Sequence, residues 1–258
     1  MLKEISGIKV EVIKPEQTTK QTPVLFVHGM FAGSWMWDNY IKLFTSKGYE
    51  CYALNLSGHA SQPIENIGTV SVYDYIEDVK AVAESIGEFI LIGHSMGGLI
   101  AMKIAEILDP KAVVSITPAP PRGYFMMGSF SQLCLILKYG LDCYLNKPLM
   151  PVKSDIMKFL MNGLSPEMQE KAYKKICPES GKAGFEIGVL QVPVDKSKIS
   201  CPLLIIGAEE DESTPSKLLE RIAKDYKADF FNFEGFAHLI IFEDGWEKPA
   251  NEIINWIN

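Results

Sequence analysis

Six short apolar runs punctuate the chain, at 22–29, 50–58, 88–95, 111–117, 201–208 and 228–235, and each closes on small or turn-forming residues. Runs of this length, apolar at nearly every position, suit strands buried on both faces. Between them the apolar positions take helical spacing, which predicts helices over 37–47, 72–86, 98–108, 215–226 and 246–257. Strands alternating with helices specify an α/β fold, a mostly parallel sheet covered on both faces. The shorter runs around Ile5 and over 9–13 read as an antiparallel edge.

The alternation stops between Thr117 and Cys201. Roughly eighty residues there are rich in Met, Leu, Phe and Tyr at helical spacing, too many for a bare loop in a compact domain. The expectation is a core domain of 1–118 and 195–258, with 119–194 inserted as a helical cap over the carboxyl ends of the strands. Open α/β sheets bind their ligands at those ends.

Composition changes this picture only by exclusion. Of 258 residues, 47% are apolar and 22% charged, ordinary for a globular chain with a sizeable core. A net charge of −7 argues against a nucleic-acid partner, because phosphate binding needs a basic face. Cys51, Cys134, Cys143, Cys177 and Cys201 are odd in number and scattered, which reads as reduced thiols in a cytoplasmic protein rather than a disulfide frame or zinc site. The opening "MLKEISGIKVEV" carries Lys3 and Glu4 and no apolar core, so no signal peptide is expected. The uncharged stretch 123–137 has only 15 residues, too few for a bilayer span, so no integral membrane segment is expected.

The chemistry begins at "GHSMG", 93–97, directly after a predicted strand and directly before a predicted helix. A turn this tight lifts the Ser95 side chain clear of the sheet, and its neighbours must be nearly bare for strand and helix to approach. The helix start also aims N–H groups at any negative charge forming there. A serine nucleophile needs a base, and the chain has four histidines. His28 ends an earlier strand and shapes its turn, His59 sits in a loop and braces it, and His94 points away from Ser95. His238 in "FEGFAHLIIF", just past the last strand, remains as the base. An acid must orient that base, and "GAEEDESTP" (207–215) supplies Glu209, Glu210, Asp211 and Glu212 at a strand end. "TPAPPR" (117–122), after the preceding strand, holds no carboxylate. The backbone N–H groups of Met30 and Met96 are the expected oxyanion donors.

Taken together, "HGMFAGSWMW", "LSGHA", "GHSMGG", the acidic loop and "GFAH" resemble the α/β-hydrolase fold superfamily over nearly the whole chain. "HGMFAGSWMWDNY" and "GHSMGGLIAMKIAE" are similar to the small serine esterases, lactonases and methylesterases, a group that also holds hydroxynitrile lyases. The resemblance implies a serine hydrolase acting on a small-molecule carboxylic ester through an acyl-enzyme, with no metal and no cofactor. It also implies the chain order Ser, acid, His. Related chains commonly read Gly-x-x-Asp-x-x-x-Pro in the acidic loop, and here two countings disagree. Gly207 plus three is Glu210; Pro215 minus four is Asp211. With Thr214 as N-cap and Pro215 opening the helix, the helix side is the firmer landmark, and Asp211 is the expected acid.

Two departures bear on substrate. The loop that commonly reads Arg-Gly-His-Gly-x-Ser is "SGHASQ" here, without the arginine, and Leu239 stands where the lyases place a lysine after the histidine. Ser95 excludes the aspartate nucleophile of dehalogenases and epoxide hydrolases. Phe31, Phe125, Phe130 and Leu239 are the expected substrate contacts, with Met126, Met127, Leu133, Leu135 and Leu137 either lining the same apolar pocket or packing as core. A hydrolase-like small-molecule receptor and a cofactor-free oxygenase stay open as alternatives.

Overall fold

The fold is taken from a computed structural model that describes residues 1–125 and 130–258, the side chains of 130–136 excepted. Ten strands form: β1 (Leu2–Ile5), β2 (Ile8–Ile13), β3 (Val24–Val27), β4 (Cys51–Leu54), β5 (Ile90–His94), β6 (Ala112–Ile116), β7 (Pro148–Leu149), β8 (Glu179–Ser180), β9 (Leu203–Ala208) and β10 (Asp229–Phe233), counted among the described residues. The helices are α1 (Asp38–Ser46), α2 (Val72–Ile86), α3 (Met96–Ile107), α4 (Phe130–Tyr144), α5 (Lys153–Phe159), α6 (Pro166–Tyr173), α7 (Gly181–Phe185), α8 (Ser216–Tyr226) and α9 (Glu247–Ile257). Eight strands make one sheet in the order β1-β2-β4-β3-β5-β6-β9-β10. From β4 to β10 every pairing is parallel, and β1 and β2 supply the antiparallel edge.

The period of two in each buried strand divides the core. In β3, Val24 and Phe26 join a cluster with Trp37, Tyr40 and Phe44, against α1 and α9. Leu25 and Val27 join the opposite cluster with Tyr75, Leu99 and Ile222, against α2, α3 and α8. β5 and β9 alternate in the same way, with Ile92 and Ile206 on the first face and Leu91 and Ile205 on the second. Side chains of this size contribute about 1.5–3 kcal/mol each when fully buried, so both faces anchor the sheet.

Four of the five expected helix starts differ from the spacing: α1 and α9 begin one residue later, at Asp38 and Glu247, and α3 and α8 differ for identifiable reasons. α3 begins at Met96, not Gly98, because the glycines that weaken helix propensity are needed for close approach and packing overrides them. α8 begins at Ser216 with Pro215 as its N-cap, so Thr214 is not the cap. The Thr214 N–H is taken instead by the Asp211 carboxylate, 2.9 Å away. Between the neighbours β6 and β9 the chain leaves the sheet and returns, carrying α4, β7, α5, α6, β8 and α7. Among the described residues, no helix is long and apolar enough to cross a membrane.

Candidate active site

Ser95 alone forms the turn between β5 and α3, and it does so at φ 54°, a left-handed conformation that strains any residue with a side chain. The surroundings hold it there. The Ser95 N–H donates to the Ile116 carbonyl (2.9 Å), and the Ser95 carbonyl accepts from the N–H groups of Gly98 (2.9 Å), Leu99 (3.1 Å) and Ala119 (3.1 Å). A Cβ at Gly93 would collide with the Gly97 carbonyl, and one at Gly97 with the carbonyls of Val27 and His28. Helix, serine turn and neighbouring strand therefore touch backbone to backbone, which is why glycines flank this serine.

Loops after β9 and β10 complete a hydrogen-bonded chain. His238 Nδ1 donates to Asp211 Oδ2 at 2.9 Å, and His238 Nε2 lies 3.0 Å from Ser95 Oγ. A neutral ring with its proton on Nδ1 can accept the serine proton at Nε2. Asp211 is buried, and its Oδ1 also takes the N–H groups of Ser213 (2.7 Å) and Thr214 (2.9 Å). Glu210 is exposed; its backbone N–H donates to the Phe236 carbonyl and its own carbonyl accepts from Asn162 Nδ2. The His238 carbonyl accepts from His94 Nε2 (2.8 Å) and Thr117 Oγ1 (3.2 Å), which fixes the backbone under the ring. Glu243 Oε2 takes the Ala237 N–H at 2.8 Å, and burial pushes the Glu243 carboxyl above its ordinary range.

The remaining histidines brace. His28 donates from Nδ1 to the Gly29 carbonyl (2.8 Å) and accepts the Leu56 N–H at Nε2 (3.1 Å), so its ring is neutral. Burial, with the charge on His59, drives its pKa down to about 3. Burial beside His238 does the same to His94, also to about 3. His59 differs. Both its nitrogens face acceptors, the Ser57 carbonyl (3.3 Å) and Glu179 Oε2 (2.9 Å), so it is an imidazolium paired with a buried carboxylate. Burial opposes that charge, but Glu179 outweighs it and raises the His59 pKa.

A cleft of about 80 Å³ opens at Ser95 and His238. Met30, Phe31 and Leu239 line it from the sheet side, and Ile156, Leu160, Met161 and Ile176 from the segment between β6 and β9. The N–H groups of Met30 and Met96 make no hydrogen bond among the described residues, as expected for Met96 at a helix start. Phe125 is not at the cleft but 63% exposed: its neighbour Tyr124 packs into the core, its hydroxyl donating to Asp225 Oδ2 (2.7 Å), and the adjacent side chain turns out. Leu137 is exposed as well. Met126 and Met127, and the side chains of Phe130, Leu133 and Leu135, lie outside the described residues. A larger cavity of about 570 Å³, between Lys196 and Asp229, contains none of these site residues. No group of three His, Cys, Asp or Glu side chains among the described residues is placed to hold a metal ion.

Ile156 in α5, with Leu160 and Met161 just past its end, carries a legible signal, apolar at i, i+4 and i+5. Glu179 carries none, because its partners His59 and Tyr75 are 120 and 104 residues away in sequence.

Residues 24–248 match the family model described as the alpha/beta hydrolase family. Esterase PIR7B of Oryza sativa subsp. japonica is 28% identical over 96 residues, 36% of either chain. An alpha-hydroxynitrile lyase of Arabidopsis thaliana is 33% identical over 128 residues, 48% of this chain and 46% of its own. The chain spans less than half the length of the curated relatives it matches. The crystal structure of a Paleococcus ferrophilus monoacylglycerol lipase superposes with a TM-score of 0.74 at 23% identity, covering 96% of this chain and 98% of that one, a likeness of fold. With a family match across nearly its whole length and an eight-stranded, mostly parallel sheet that superposes end to end, this chain belongs to the alpha/beta hydrolase family.

Proposed function

We propose that the chain is a serine esterase that cleaves small-molecule carboxylic esters with an apolar acyl or aryl group. The observation that carries this reading is the continuous hydrogen-bonded chain from Ser95 Oγ through His238 to Asp211, at 3.0 and 2.9 Å. Ser95 attacks the ester carbonyl while His238 Nε2 takes its proton, and Asp211 holds the ring and offsets the imidazolium charge. The N–H groups of Met30 and Met96 receive the oxyanion, for which the start of α3 supplies a favourable dipole. Collapse expels the alcohol, protonated by His238, and leaves an acyl-serine; water, deprotonated by the same base, releases the acid. No cofactor enters this sequence.

The segment between β6 and β9 acts as a cap whose Ile156, Leu160, Met161 and Ile176 receive the apolar group, since they line the cleft beside Ser95. Cyanohydrin cleavage is the less favoured chemistry despite the lyase relative. Leu239 follows His238, and no lysine or arginine lines the cleft among the described residues. Replacing Ser95 with Ala tests the reading against p-nitrophenyl esters of increasing acyl length. The expected loss in kcat is on the order of 10⁴ to 10⁶, with native unfolding behaviour. A folded Ser95→Ala protein turning over at the native rate overturns it.

A further inference from the structure

The Glu179 carboxylate lies beneath the loop that carries Met30. It is fully buried and fully used: Oε1 accepts from Tyr75 Oη (2.7 Å) and the Ser180 N–H (2.7 Å), and Oε2 from His59 Nε2 (2.9 Å) and the Phe31 N–H (3.3 Å). Two residues earlier, the Cys177 N–H donates to the Phe31 carbonyl at 2.9 Å. One stretch of the segment between β6 and β9 therefore grips Phe31 by both its N–H and its carbonyl. Phe31 needs that grip. Its φ of 63° is one a bulky aromatic residue adopts only where its surroundings enforce it. The peptide so constrained follows Met30, whose own N–H has no acceptor among the described residues.

From this arrangement we infer that Glu179 is a positioning residue for ester cleavage: by fixing the Phe31 backbone, it aims the Met30 N–H at the oxyanion. The inference rests on the serine-esterase reading and extends it from the residues that touch substrate to one that does not. Charge is what makes the device rigid. A carboxylate accepts all four donors, whereas an amide in its place turns an N–H toward at least one of them. Because an oxyanion exists only in the transition state, misaiming its donor lowers kcat and leaves substrate binding nearly unchanged.

The test compares native protein, Glu179→Gln and Ser95→Ala on p-nitrophenyl butyrate, with active sites counted from the initial burst of nitrophenol. A fall in kcat per counted site of about 10- to 100-fold for Glu179→Gln, with KM within about twofold, is the expected result. Simple loosening of the fold would lower the number of active sites or raise KM instead. If Glu179→Gln does not yield folded protein, Tyr75→Phe removes one donor from the same carboxylate and is expected to lower kcat about threefold at constant KM. Native kcat per site in Glu179→Gln, or in Tyr75→Phe where that variant decides, overturns the inference while an inactive Ser95→Ala leaves the esterase reading standing. A fully active Ser95→Ala removes both.

Discussion

At the scale of single residues, the identity of the acid is the sharpest question. Asp211 makes three hydrogen bonds from a buried carboxylate, to His238, Ser213 and Thr214, whereas Glu210 is exposed. Asp211→Asn keeps the shape but offers an amide where His238 needs an acceptor, so kcat is expected to fall roughly 10² to 10⁴. Glu210→Gln should stay near native in the same assay, and the reverse pattern would hand the orienting role to Glu210. Much of this was legible in the chain. With four histidines and three of them tied to turns, His238 was left by elimination, and one serine stood between close-packed glycines. Glu179 was not legible, because a lone carboxylate in "CPESGK" is indistinguishable from a surface residue until distant donors surround it. Phe125 misled for the opposite reason. Its apolarity suggested a pocket, but the anchoring of Tyr124 decides its direction.

At the scale of elements, strands and helices followed from periodicity to within a few residues, since both are set by local spacing of apolar positions. α2 matches its expected span, Val72–Ile86, because Ser71 and Asp74 cap it locally: the Ser71 N–H donates to Asp74 Oδ2 and the Tyr73 N–H to Ser71 Oγ. The start of α3 was shifted because contact with β3 decides it, and no window of sequence contains that contact. Gly97→Ala tests the contact. The added methyl must push α3 off the Val27 and His28 carbonyls, so a loss of about 1–3 kcal/mol in unfolding free energy is expected, along with lower activity. Native stability on denaturant unfolding would show that the turn can relax. In the segment between β6 and β9, Leu160→Ala and Met161→Ala enlarge the cleft beside Ser95. Their optimum on the ester series is expected to move to longer acyl groups, and an unmoved optimum would make these side chains packing only.

At the scale of the whole molecule, the buried His59–Glu179 pair ties the segment between β6 and β9 to the sheet. Burial disfavours the Glu179 charge, but His59 outweighs it and lowers the carboxyl pKa below its ordinary 4.5. Its stabilisation is thus present above 4.5 and lost as pH falls through the depressed value. His59 is raised above its ordinary 6.5, so its share is complete below 6.5 and lost as pH rises through the raised value. The gap in Tm between native protein and Glu179→Gln is therefore expected to be widest between pH 4.5 and 6.5. Breaking a buried pair costs about 3 kcal/mol, so that gap should be roughly 6–12 °C. The Glu179 charge also acts on His28, which burial holds at about 3, and on Cys177 and Tyr75, both raised above their ordinary 9.0 and 10.0, so none of the three titrates inside this window. A gap independent of pH would mean the pair is not ionic.

The central claim, that Ser95 is the nucleophile, is tested most directly by mass spectrometry of native protein treated with a p-nitrophenyl alkylphosphonate. The account predicts a single phosphonyl group per chain, carried on Ser95, with ester turnover lost in proportion to labelling. Complete labelling at another residue, or full turnover by protein already phosphonylated on Ser95, would contradict it.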